Sequence, residues 1–78
     1  MSTSDLLALP CGHKAVITEI KAEEPLRSRL LDLGFLPGAE VAALFAAPSG
    51  SPRAYGICGT VIALRGTDAA TIQIGGMA

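Results

Sequence analysis

Cys11 and His13, two positions apart, are the side chains best placed to meet one soft metal ion, and Cys58 is distant in sequence. A structural zinc site takes four ligands, at spacings of the Cys-x-x-Cys kind, so this pair falls two short. The ordinary reading is a turn thiol beside an exposed imidazole, with any metal held weakly or bridged between two chains. Cys58, between Ile57 and Gly59 in a β-rich run, reads as a small buried hydrophobe. Acid–base and nucleophilic chemistry fail on supply. There is one His, no workable Ser-His-Asp arrangement, and no carboxylate pair whose surroundings would separate its pKa values. Gly56-Ile57-Cys58-Gly59 lacks the Walker lysine and sits in β-rich sequence, so it is not a phosphate loop. These residues predict a protein that is not an enzyme and carries no cofactor.

What remains is binding, and binding needs a scaffold. The strongest local signal is Arg29-Leu30-Leu31-Asp32-Leu33-Gly34-Phe35-Leu36-Pro37-Gly38. Leu26, Leu30 and Leu33 recur at helical spacing and predict one apolar face. Gly34 fits the left-handed position that ends a helix, and Phe35 can then fold back on Leu30. Leu36-Pro37-Gly38-Ala39 reads as a type II turn. The helix is predicted from about Glu24 to Leu33, with Pro25 at its first position and Glu23-Glu24 near the positive end of the dipole.

Around it the chain alternates short strands with turns. Ser4-Asp5-Leu6-Leu7 can form one helical turn capped by Ser4 or Asp5. Ala15 through Lys21 predicts a first strand, with Val16, Thr18 and Ile20 on one face and Ile17 opposite. Val41 through Ala47 predicts a second strand, buried almost throughout. Pro48-Ser49-Gly50-Ser51-Pro52 is a loop, because neither proline can sit in a central ladder. Arg53 through Ile57, Thr60 through Leu64 and Thr71 through Ile74 predict three more strands, with a helical turn at Gly66–Ala70. Gly56 and Gly59 suggest bends or bulges where the sheet curls. The prediction is a mainly β chain, a small, partly open five-stranded barrel with one helix inserted after the first strand.

Seventy-eight residues allow one domain, with a core spanning about residues 9–74. A chain of this length buries roughly 60–65% of its unfolded surface, so stability is marginal. Six basic and seven acidic side chains leave a net charge of −1. Lys14, Lys21, Arg27, Arg29, Arg53 and Arg65 are scattered among Glu19, Glu23, Glu24, Asp32 and Asp68, which argues against nucleic acid as a partner. Ser2-Thr3-Ser4-Asp5 has no positive charge and Leu6–Leu9 stops at Pro10, unlike a signal peptide. The apolar run Val41–Ala47 is far short of the about twenty residues that span a bilayer. A soluble, cytoplasmic protein with reduced thiols is expected.

The ordered set of these features resembles the ferrous iron transport protein A (FeoA) family of small SH3-like domains. The resemblance runs from about Leu9 to Ile74. It rests on Gly12, Arg29-Leu30, Leu33-Gly34-Phe35, Pro37-Gly38, the Pro48–Pro52 loop, Gly59, Ala63-Leu64-Arg65 and Asp68-Ala69-Ala70. It implies an accessory protein of bacterial ferrous iron uptake, acting by protein docking to the GTP-binding membrane transporter FeoB. Two alternatives accompany it: a regulatory domain of the sort appended to iron-dependent repressors, and a weak direct carrier of transition metal ions. Ser51-Pro52 stands where the family more usually has Asp-Pro, and the two cysteines depart from its pattern.

In an SH3-like barrel the ligand groove lies between the first long loop and the loop after the next strand, here Glu23–Gly38 and Pro48–Pro52. Phe35 and Phe45 read as packing residues, so an aromatic-lined polyproline groove is not expected. Leu31 lies about 140° around the helix from Leu26, at roughly 100° per residue, and so points off the predicted core face. Leu31, Leu36 and the loop residues Pro48, Ser49, Gly50, Ser51 and Pro52 are therefore expected to form an apolar partner surface.

Overall fold

The computed structural model describes residues 4–75. Its elements are β1 (Ser4–Asp5), a 3₁₀ turn (Leu6–Ala8), β2 (Lys14–Ile20), α1 (Leu26–Leu33), β3 (Glu40–Ala46), β4 (Arg53–Ile57), β5 (Thr60–Leu64), α2 (Gly66–Ala69) and β6 (Ile72–Gly75). The six strands form one sheet in the order β1-β6-β2-β3-β4-β5, with every pairing antiparallel. The sheet curls without closing, and the 3₁₀ turn and α2 pack together. The mainly β architecture with one inserted helix is the predicted one.

The extra strand is the two-residue β1, where Ser4 pairs with Ile74 and Asp5 with Gln73. Asp5 also caps the 3₁₀ turn, its carboxylate accepting from the Ala8 N–H at 3.1 Å. One acidic residue thus ends a strand and starts a turn, a double use that the helical reading of this segment did not separate.

The helix stop forms as its residues dictate. Gly34 has φ of 109°, and the Phe35 N–H reaches Leu30 O while the Gly34 N–H reaches Leu31 O, both at 3.0 Å. These are the two bonds of a Schellman motif. The Ala39 N–H donates to Leu36 O at 2.9 Å and Gly38 has φ of 92°, completing the Pro37-Gly38 turn. At the other end the helix starts at Leu26, one residue later than predicted for Pro25. The Glu24 carboxylate accepts from the Ser28 N–H at 3.0 Å and the Ser28 hydroxyl at 2.7 Å, holding the first turn.

Two strands depart from strict alternation. In β2 the register shifts between Ile17 and Glu19, so Ala15, Ile17 and Ile20 face the core. Val16 and Thr18 are exposed together, opposite Ile17 as predicted, but Ile20 leaves their face for the core. The cause is the inserted residue, which resets a period of two. In β3 a second shift falls between Ala43 and Phe45. Val41 and Ala43 stay inside, whereas Leu44 and Phe45 turn outward, Phe45 to 63% exposure. The expectation of a buried strand and a packed Phe45 fails for the same reason.

The β4–β5 hairpin turns on Cys58 and Gly59, with φ of 50° and 76°. Two consecutive positive φ values define the type I′ turn that matches strand twist. Gly59 is thus a bend of the predicted kind, made as a hairpin turn, whereas Cys58 is exposed, not buried.

Candidate functional site

The Cys11–His13 segment forms a tight turn ahead of β2. The Gly12 N–H donates to Ala43 O at 2.7 Å and the His13 N–H to Pro10 O at 3.1 Å. Both Cys11 and His13 are exposed. Among the described residues no group of three or more His, Cys, Asp or Glu is arranged to hold a metal ion. The Cys11 thiol has a different neighbour, the Arg53 guanidinium, whose Nη2 donates to Sγ at 3.3 Å.

Arg53, read above only as one of the scattered charges, is a principal residue of this end of the molecule. It is buried, and Nη2 donates to Leu9 O at 2.8 Å while Nη1 donates to Leu7 O. The guanidinium carbon lies 5.7 Å from the centre of the Tyr55 ring. The Tyr55 hydroxyl in turn donates to Leu6 O at 3.3 Å. The hydrogen bond to Cys11 is the chief cause of an Arg53 pKa held above its ordinary value. Burial pushes the Tyr55 phenol up. Together Arg53 and Tyr55 fasten the 3₁₀ turn to β4. The available signal was phase: Arg53, Tyr55 and Ile57 alternate on one face of a short strand, and two of the three are plainly apolar.

The face of α1 decides what the molecule offers to a partner. Leu30 is buried and Leu31 is half-buried against the core, whereas Leu33 is 42% exposed. This corrects the predicted face. Taking Leu26 as zero, Leu30 sits at roughly 40°, Leu31 at roughly 140° and Leu33 at roughly −20°. The core lies between Leu30 and Leu31, so Leu33 is rotated out. Leu31 is consequently a flank of the core and not a freely exposed anchor.

Leu33 opens onto a groove of about 440 Å³ between α1 and the end of β5. Leu26, Leu30 and Leu33 line one side, with Ala63 and Leu64 opposite. Arg29, Arg65 and Asp68 add charge to the lining. Gly34 at the end of α1 lies close to Cys58 at the start of the β5 hairpin, where a Cβ on Gly34 would come within 3.1 Å of the Cys58 sulfur. The groove thus combines aliphatic burial with guanidinium pairing, a surface suited to holding a chain segment.

The remaining predicted contacts do not gather on one spot. Leu36 is 47% exposed, in the turn that leads into β3. Pro48, Ser49, Gly50, Ser51 and Pro52 are all exposed, beyond the other end of β3. The loop is held in place, since Ser49 Oγ donates to Ser51 O at 2.9 Å and Ser51 Oγ accepts from the Gly66 N–H at 3.0 Å. Seven strand residues, at about 3.3 Å each, separate Leu36 from the loop.

A family model described as the FeoA domain matches residues 5–75. The sequence is 33% identical over 69 residues to the Fe(2+) transport protein A/Fe(2+) transporter FeoB fusion protein of Porphyromonas gingivalis. That match covers 88% of this chain and 8% of the relative. Among solved structures, the FeoA protein from Chlorobium tepidum has a TM-score of 0.85 at 34% identity, over 90% of this chain and 67% of that one. FeoA of Stenotrophomonas maltophilia, solved with zinc and described as an SH3 domain protein, has a TM-score of 0.77 at 29% identity. That likeness covers 91% of this chain and 88% of the other.

Proposed function

The chain belongs to the FeoA domain family of ferrous iron transport, and from that membership we propose that it is a non-enzymatic accessory module that docks on the cytoplasmic part of a FeoB-type GTP-binding transporter. The observation that carries this reading is the fusion in Porphyromonas gingivalis, where a related sequence is joined to FeoB in one polypeptide. A covalent tether holds the two parts at high effective concentration, which favours direct contact between them. The groove beside α1 and the exposed Leu33 and Leu36 offer that surface.

The role is one of a single small domain acting by contact, on the cytoplasmic side. None of the described helices is long and apolar enough to cross a membrane. Leu36 and the loop Pro48–Pro52 enter as separate contacts, because they lie at opposite ends of β3. Leu31 enters indirectly, by supporting the helix that carries Leu33.

The test is a titration of the full chain against the soluble GTP-binding part of a FeoB-type transporter, beside a titration with Fe²⁺ alone. Saturable one-to-one binding to the transporter part, with no tight iron site, is expected. A stoichiometric, submicromolar Fe²⁺ site in the monomer would favour the carrier reading and overturn this one.

A further inference from the structure

We infer that the groove between α1 and β5 receives an extended, acidic segment of the partner, which pairs with the free edge of β5 as an added strand. The inference rests on the docking role proposed above and names the chemistry of what docks. Among the described residues β5 ends the sheet, and its partner is β4 alone. The two-residue turn makes Ile57 and Thr60 the first hydrogen-bonded pair, and bonded pairs then alternate with non-bonded ones. Thr60, Ile62 and Leu64 therefore spend their backbone groups on β4, opposite Ile57, Tyr55 and Arg53. Val61 and Ala63 point theirs outward, and none of these four groups has a partner among the described residues.

Edges of this kind are usually blunted by a charge, a proline or a bulge. The β5 sequence Thr60-Val61-Ile62-Ala63-Leu64 has none of these, and Val61 is 62% exposed. The adjoining groove supplies what strand addition needs for specificity, namely a pocket for alternate side chains. Leu26, Leu30 and Leu33 would receive the apolar ones. Charge then selects the occupant. Arg29 and Arg65 outnumber Asp68 at the groove, so an incoming carboxylate is favoured, and guanidinium pairs well with carboxylate. A second copy of the chain is a poorer match, because its own β5 carries no carboxylate.

The experiment uses the full chain with two probes. One is the GTP-binding part of the transporter. The other is a capped synthetic peptide alternating Val and Asp, compared with its Val and Asn counterpart. Four chain variants are measured: Arg29→Glu with Arg65→Glu, Leu33→Gln, Val61→Pro, and Lys14→Glu as a control on β2. Val61→Pro removes only an outward N–H, which an edge strand tolerates, and melting curves confirm that each variant folds.

The expected result is at least tenfold weaker transporter binding for the first three variants and less than a twofold change for Lys14→Glu. In the complex, hydrogen exchange at the Val61 and Ala63 amides should slow. Transporter binding that survives the paired arginine reversals and leaves those amides exchanging freely would overturn the inference while the docking role stands. If the transporter part does not bind at all, the docking role falls. The acidic peptide then decides: shifts at Val61, Ala63 and Arg29 that are absent with the Asn peptide support the groove, and their absence overturns it. A dimer abolished by Val61→Pro would also overturn it, by assigning the edge to a second copy.

Discussion

At Gly34 two costs meet in one position. Its φ of 109° disfavours any Cβ, and the Cβ itself would lie 3.1 Å from the Cys58 sulfur. Gly34→Ala should destabilise the protein by about 1–2 kcal/mol, and equal melting temperatures would refute this. Cys58 carries the opposite strain, a non-glycine residue at φ of 50°. Cys58→Asn places Asn-Gly in the type I′ turn and should stabilise by about 0.5–1 kcal/mol, roughly 2–8 °C in Tm for a domain of this size. Arg53 was the residue least legible beforehand. Its charge argued for the surface, while three hydrogen bonds from its guanidinium hold it inside. Arg53→Met should cost about 2–4 kcal/mol, since the Leu7 and Leu9 carbonyls lose a charged donor. A variant melting within a degree of the parent would contradict that role.

The elements were legible where local chemistry is sufficient by itself. Gly34 and Pro37-Gly38 dictate their turns whatever surrounds them, and both formed as read. Faces were less legible, because they depend on where a short helix or a bulged strand is pressed. Leu31 and Leu33 exchanged roles through a rotation of the core direction, while register shifts turned Ile20 inward and Phe45 outward. These corrections carry their own test. Leu30→Gln should cost about 2–4 kcal/mol and Leu31→Gln about 1–2 kcal/mol, whereas Leu33→Gln should stay within about 0.5 kcal/mol. If Leu33→Gln melts like Leu30→Gln, the assigned helix face is wrong.

The first turn of α1 adds a pH dependence. The hydrogen bonds from Ser28, chiefly that of its hydroxyl, hold the Glu24 carboxyl below the ordinary carboxylate value. A depressed folded-state pKa contributes stability that is present above the unfolded value, near 4.3, and lost as pH falls through the folded one. The Tm gap between the parent and Glu24→Gln should thus be full at neutral pH and close in acid. A gap that widens on acidification would reverse the assignment.

For the molecule as a whole, an open sheet in so small a chain leaves surface that a closed barrel would hide. β5 has one paired side, and the groove beside it is aliphatic with two arginines. The mainly β class and the position of the helix could both be read from residue types and spacing. The groove could not, since it arises where α1, β5 and α2 meet across about forty positions of sequence. The metal candidates Cys11 and His13 illustrate the same limit from the other side. Their spacing was visible, but the Arg53 contact that occupies the thiol comes from a strand 42 residues away.

Contact with the transporter is the central claim. The most direct measurement is the dissociation constant of the full chain for the soluble GTP-binding part of a FeoB-type transporter, taken for the parent and for Leu33→Gln with both melting temperatures in hand. Saturable binding by the parent and at least a tenfold loss in Leu33→Gln are expected, with the two proteins melting within about 4 °C of each other. Equal affinity in parent and variant, or no saturable binding by the parent, would contradict it.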